Sequence, residues 1–159
     1  MKISLLISSL PTQNTTTRMR VWRSLKASGA ATLRDGVYIL PIAHSDKFDP
    51  IVHDVVSEQG TAYVFNAESV ANLDIVTIFG RKEEYDALYK QLIELKDRLT
   101  QDEKKELLKQ VRKLRKGINA LVDIDYYPDE TQAQVLNELS LLELAIARLG
   151  VSRPREFHP

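Results

Sequence analysis

The chain opens with an apolar, β-branched-rich run, "KISLLISSL" from Lys2 to Leu10, ended by Pro11. A run this short, closed by proline, predicts a buried β-strand rather than a helix. Further on, Met19, Trp22 and Leu25 recur at helical spacing before Gly29. That pattern predicts a helix from Asn14 to Ser28, with Asn14 as N-cap and Gly29 as stop. Met19, Trp22 and Leu25 form its apolar face, and Trp22 goes into the core. Two apolar runs, Ala30–Arg34 and Val37–Leu40, then flank Asp35-Gly36. Asp-Gly tolerates the positive φ angles of a two-residue turn, so these runs predict a β-hairpin. The segment "DKFDPIVHDVVSEQG" predicts a second helix, capped by Asp49, with Pro50 in the first helical position and Gly60 closing it. "TAYVFNAES" reads as a further strand. The next piece, "SVANLDIVTIFG", carries two patterns. Val70, Leu73, Ile75 and Val76 fit a helix, whereas Ile75–Phe79 also fits an extension of the sheet.

The second half has only the helical period. Tyr85, Leu88, Tyr89, Leu92, Leu95 and Leu99 share one face. Thr100 and Glu103 have capping-box spacing at the start of a helix that turns Leu107 or Leu108, Val111, Leu114, Ile118 and Leu121 inward. "DIDYYPDETQ" reads as a connector, with a second box at Asp129 and Gln132. Val135, Leu136, Leu139, Leu142, Ile146 and Leu149 form the last apolar stripe. The order strand, helix, strand, strand, helix, strand predicts an α+β fold: a ferredoxin-like βαββαβ sandwich over residues 1–80, with two helices on one sheet face. A helical extension of two to three helices over 81–150 packs on it as a single domain, and 151–159 is a tail.

Composition narrows the chemistry. At 159 residues, 43% hydrophobic and 28% charged, the chain can bury a real core. It has no cysteine, which excludes disulfides, thiolate zinc sites and a cysteine nucleophile. No apolar run reaches the length of a membrane span. The N-terminal run lacks a signal-peptide cleavage pattern and reads better as a buried strand, so no membrane contact is expected; the lack of cysteine is compatible with a cytoplasmic protein. His44, His53 and His158 lack metal-ligand spacing, and the Glu83-Glu84 and Asp123–Asp125 pairs sit where carboxylates ordinarily serve a helix dipole or solvate a turn. No metal, cofactor or catalytic constellation is expected, and the chain reads as a non-enzyme.

Charge supplies the sharper feature. The formal net charge is zero, yet no acidic side chain precedes Asp35. On a helix from Asn14, the side chains of Arg20, Arg23 and Lys26 project away from the Met19–Trp22–Leu25 face, Arg18 lies near the start, and Arg34 sits beside the hairpin turn. This set is the candidate nucleic-acid-binding patch, to be weighed against a solvated helix face. The loop before the helix offers a second candidate. There Ser9, Thr12, Asn14, Thr15 and Arg18 could hold an oxyanion at the helix N-terminus, with plain helix capping as the alternative. The lysine-rich helix Lys104–Lys116, with Glu103 and Glu106 interleaved and Asp102 upstream, reads as a solvated face, with an addition to a nucleic-acid surface as the alternative.

The stretch "LLISSLPTQNTTTRMRVWRSLKASGAATLRDGVYILP" resembles the N-terminal region of the ChrB family of chromate-resistance regulators. The resemblance continues in "FGRKEEYDALYKQL" and "KLRKGINALVDIDYYPDETQAQVLNEL", so it covers Leu5 to about Leu149. It implies a cytoplasmic transcriptional regulator that binds operator DNA of a chromate-resistance operon, with chromate as effector. The positions matching the family's basic motif are Arg18, Arg20, Arg23, Lys26 and Arg34. The hairpin region also resembles the central domain of PaaX-type repressors. Through that domain it is similar to the ferredoxin-like nuclease subunit of CRISPR adaptation complexes, which dimerises; a homodimer is implied. The nuclease relatives place a metal-holding aspartate at the end of the first strand. Here Ser8 and Ser9 stand there, which disfavours a nuclease. Chromate sensing in the family is attributed to a further domain that follows this region. A regulatory DNA-binding module is therefore the leading expectation, with an oxyanion-binding module or a dimeric protein–protein scaffold as alternatives.

Overall fold

A computed structural model describes residues 1–11, 13 and 15–150. It divides into two compact units, one ending at Gly80 and the other beginning at Arg81. The first contains β1 (Lys2–Ser9), α1 (Thr15–Ser28), β2 (Ala31–Arg34), β3 (Val37–Pro41), a 3-10 segment (Ile42–Phe48), α2 (Asp49–Ser57), β4 (Thr61–Glu68) and the short α3 (Ile75–Phe79). The second contains α4 (Lys82–Lys96), α5 (Lys104–Ile124) and α6 (Glu130–Ala147). The fold is α+β.

The sheet order is β2-β3-β1-β4, with every neighbouring pair antiparallel. β1 and β3 are the two interior strands, and β1 is paired along both edges: Leu6 lies opposite Tyr38 on one side and Val64 on the other. Leu6, Ile39 and Leu40 are fully buried. The Asp35-Gly36 turn forms as predicted. Gly36 has φ 81° and its carbonyl accepts from the Ser8 N–H at 2.8 Å. A Cβ there would meet the Ser8 carbonyl oxygen at 2.6 Å, so glycine is required twice over.

Several local expectations change. Asp49 does not cap α2; the 3-10 segment runs directly into it, and Asp49 lies in its first turn. At its end the left-handed residue is Gln59, φ 68°, and not Gly60. Gly60 serves close approach instead, because a Cβ would sit 2.5 Å from the Ser9 carbonyl oxygen. In the ambiguous stretch only Ile75–Phe79 is helical, started by Asp74, whose carboxylate accepts the Thr77 hydroxyl at 2.8 Å. Val70 is 95% exposed, so the longer helical pattern has no apolar surface to pack on.

The second unit is a helical bundle with one continuous core. Leu92 and Leu95 from α4, Leu107, Val111, Leu114, Ile118 and Leu121 from α5, and Val135, Leu139, Leu142 and Ile146 from α6 fill it. The Thr100–Glu103 box does not form, as α5 starts without a side-chain cap. Asp129 does cap α6, accepting the Thr131 N–H at 2.9 Å. Its expected box partner Gln132 turns inward instead, donating to the Tyr85 hydroxyl at 3.1 Å and to the Asp125 carboxylate at 3.2 Å. Tyr85 in turn donates to Asp125 at 2.8 Å. Asp125 is thus a buried hydrogen-bonded carboxylate and not the solvated turn residue its sequence context suggests. Burial, and then the Asp125 charge, push the Tyr85 phenol well above its ordinary range, against the Gln132 hydrogen bond.

Candidate nucleic-acid interface

Helix α1 forms because its 14 residues include no glycine or proline, and Gly29, φ 79°, ends it in the left-handed conformation. Its buried face is Thr17, Val21, Leu25 and Ser28. These are small or aliphatic and let the helix back approach its neighbours closely. The Ser28 hydroxyl is satisfied by donating to the Leu25 carbonyl at 2.6 Å and accepting the Ala30 N–H at 3.1 Å. Of the predicted apolar face only Leu25 is inside. Met19 is 47% exposed and Trp22 52% exposed, so the tryptophan does not anchor the core. A helix has one buried stripe, and the stripe through Val21 lies about 100° round the axis from Trp22.

The cations of the patch therefore have different fates. Arg18 turns back to donate to the Leu10 carbonyl at 3.0 Å. Arg20 pairs with two carboxylates of α2, Asp54 at 3.4 Å and Glu58 at 3.9 Å. Lys26 lies 4.7 Å from the centroid of the Trp22 ring, a cation–π arrangement that leaves the ammonium in water. Arg23 is exposed, and no carboxylate among the described residues pairs with it. Arg20 and Arg23 line one shallow groove with Thr15, Thr16 and Met19. Arg34 is exposed on the hairpin, without an ion pair among the described residues, and does not line the α1 groove. The outward face of α1 is thus Arg23, Lys26, Met19 and Trp22: two available cations around a half-exposed indole.

The oxyanion candidate fares differently. Ser9 and Arg18 line a recess of about 240 Å³ together with Ser8, Tyr38 and the hairpin turn. Thr15 lines the α1 groove and not this recess. Thr12 and Asn14 lie outside the described residues. Asp35 lines the same recess, and its charge opposes that of Arg18. An anion entering there meets one positive and one negative group, which gives no net attraction.

A second basic surface, read from the sequence as a solvated face, lies on α5. That helix carries Lys104, Lys105, Lys109, Arg112, Lys113, Arg115 and Lys116 against Glu106 and Asp123. Lys104 donates to the Ala147 and Leu149 carbonyls at the end of α6, and Arg115 pairs with Glu143. The neighbouring Glu106 is engaged by the Gln110 amide at 2.9 Å. Among the described residues no histidine, aspartate or glutamate cluster has metal-binding geometry. None of the helices described is long and apolar enough to cross a membrane.

No family model and no solved structure matches the chain. It is similar to Protein ChrB of Cupriavidus metallidurans, 33% identical over 135 residues. That similarity takes in 82% of this chain and 42% of the relative, so the chain spans less than half the length of the protein it matches. Over the part of that protein which it spans, the chain is related to the ChrB family.

Proposed function

We propose that the chain is a non-enzymatic DNA-binding module of a chromate-resistance regulator, acting as a homodimer in the cytoplasm. The observation that carries this reading is the outward face of α1. Arg23 and Lys26 stand exposed, without carboxylate partners among the described residues, beside the half-exposed Trp22. Arginine and lysine hold phosphates, and an exposed aromatic ring between them suits contact with sugar or base surfaces. The kinship with Protein ChrB supports the chromate-resistance setting.

We read the first unit as a ferredoxin-like sandwich. β1 lies between β3 and β4 and is antiparallel to both, so β2 is parallel to β1 and β4 is parallel to β3. Each parallel pair is linked through a helix. Pairing in the dimer is favoured by β4, an eight-residue edge strand without lysine or proline, on which Tyr63 and Phe65 are exposed.

The chain holds a single tryptophan, so its emission reports on α1 alone. Titration with duplex DNA from upstream of the protein's own operon is expected to shift Trp22 emission saturably, and a gel mobility shift on the same duplex weakens steeply with salt. Arg23→Ala/Lys26→Ala weakens both. A wild-type protein that leaves the duplex unshifted at 50 mM salt overturns the proposal.

A further inference from the structure

On α5 the cations divide by direction. At 100° per residue, Lys105, Lys109, Arg112 and Lys116 fall within a sector of about 60°. The buried stripe of Leu107, Val111, Leu114, Ile118 and Leu121 lies on the opposite side of the helix. Arg115 flanks the sector towards Glu143 of α6, and Lys113 flanks it towards the α4–α5 recess that also holds Glu94 and Arg98. The four stripe residues are exposed, and none of their side chains makes an ion pair or hydrogen bond among the described residues. Three of the neighbouring acids have other partners. Glu138 pairs with Lys96, Glu143 with Arg115, and Glu106 accepts from Gln110. Asp123 lies two turns beyond Lys116.

We infer that this stripe is a phosphate-tracking surface for duplex DNA; the inference rests on the DNA-binding reading above. From Lys105 to Lys116 the stripe runs about 17 Å, enough to meet phosphates along a groove wall at several points. Its chemistry separates DNA from other polyanionic surfaces. A helix that binds an anionic bilayer inserts an apolar face, but the apolar face of α5 is spent in the bundle core. Protein interfaces centre on aromatic or aliphatic anchors, and the stripe has none between its cations. Charge without an apolar centre is the composition of a surface that holds a phosphodiester backbone.

The test is the salt dependence of binding to a fluorescein-labelled duplex of mixed sequence, followed by anisotropy between 50 and 200 mM salt. Phosphate recognition is sequence-independent, so no operator is needed. Lys105→Gln/Lys109→Gln/Arg112→Gln/Lys116→Gln keeps the helix propensity nearly constant. Each phosphate left without its cation lowers the slope of log K against log salt by about 0.9, so the fourfold variant drops it by roughly 2 to 4 and weakens binding by at least about tenfold at 100 mM. Lys105→Arg/Lys109→Arg/Lys116→Arg keeps the charge and retains the wild-type slope. This separates removal of charge from damage to the fold. If wild type binds and the fourfold Gln variant has the same slope and affinity, the α5 surface is overturned and the α1 reading stands. If wild type binds no duplex at 50 mM but sediments with phosphatidylserine vesicles, both are overturned.

Discussion

Helices α1 and α5 each present basic residues, and along the chain they look opposite to what they become in space. Around α1 no acid occurs before Asp35, so its cations look free. Around α5, Asp102, Glu103 and Glu106 intervene, so its cations look neutralised. In the fold the central arginine of α1 meets Asp54 and Glu58 of α2, whereas the outer stripe of α5 meets no carboxylate among the described residues. Charge neutralisation is a property of neighbours within a few ångströms, and a helix takes its neighbours from other elements as readily as from its own. Nor are the two helices anchored alike. Two of the four buried residues of α1 are polar, Thr17 and Ser28, while α5 buries five aliphatic side chains.

That difference in anchoring gives the largest expected effect. Ile118 is fully buried in the bundle core. Ile118→Ala removes methylenes that neighbours cannot fully replace and is expected to cost about 2–5 kcal/mol, while Lys109→Ala on the other side of α5 stays within about 0.5 kcal/mol. Urea titration followed by far-UV circular dichroism reads both. A comparable loss from Lys109→Ala would mean that the stripe is structural, and α5 would then be no freer than α1.

The next effect concerns a buried polar triad of the second unit. Tyr85→Phe leaves Asp125 with the Gln132 amide alone and is expected to cost about 1–3 kcal/mol. It also changes the alkaline limb. The folded-state phenol titrates higher than the unfolded one, so its stabilisation is complete below the ordinary tyrosine pKa of about 10 and is lost as pH rises beyond it. Wild type should lose stability above about pH 10 more steeply than Tyr85→Phe, as seen in urea midpoints collected between pH 8 and 11. Parallel curves would show that Tyr85 is no more protected than an exposed tyrosine.

The elements themselves were legible. The bounds of β1 and the hairpin strands, the end of α1 and the start of α6 follow from periodicity, Asp35-Gly36, Gly29 and Asp129, since these signals act locally. The inward stripes of α5 and α6 were legible for the same reason. What the sequence concealed depends on neighbours met at a distance. Trp22 and Val21 are adjacent in the chain, and hydrophobicity alone favours the indole, but packing at a close helix approach favours the smaller side chain. Asp125 reads as a turn carboxylate until Tyr85, 40 residues away, closes over it. The candidate site was legible as a set of cations and not as a surface. Among the residues named, Arg23 and Lys26 share the outward face, Arg18 and Arg20 leave it, and Arg34 stands apart. The α5 stripe was visible as a helical face; its freedom from partners was not.

The smallest effect tests the comparison most directly. Arg20 is held by Asp54 and Glu58, pairs whose side chains are 30–45% exposed, so each contributes at most about 1 kcal/mol to stability. Asp54→Asn/Glu58→Gln should therefore leave the unfolding midpoint almost unchanged while releasing the guanidinium. If α1 faces the phosphates, the released cation neutralises one more of them, and the salt slope for duplex binding steepens by about 0.9 with a gain of a few-fold at low salt. Arg20→Ala in the otherwise unaltered protein frees the Asp54 and Glu58 carboxylates instead of a cation, and its slope should be no steeper than wild type. The two variants form an internal control, because both disrupt the same pair and only one leaves a free positive charge. A steeper slope in both would mean that loss of the ion pair, rather than release of Arg20, strengthens binding. The contrast between a neutralised α1 and a free α5 would then no longer explain where the phosphates go.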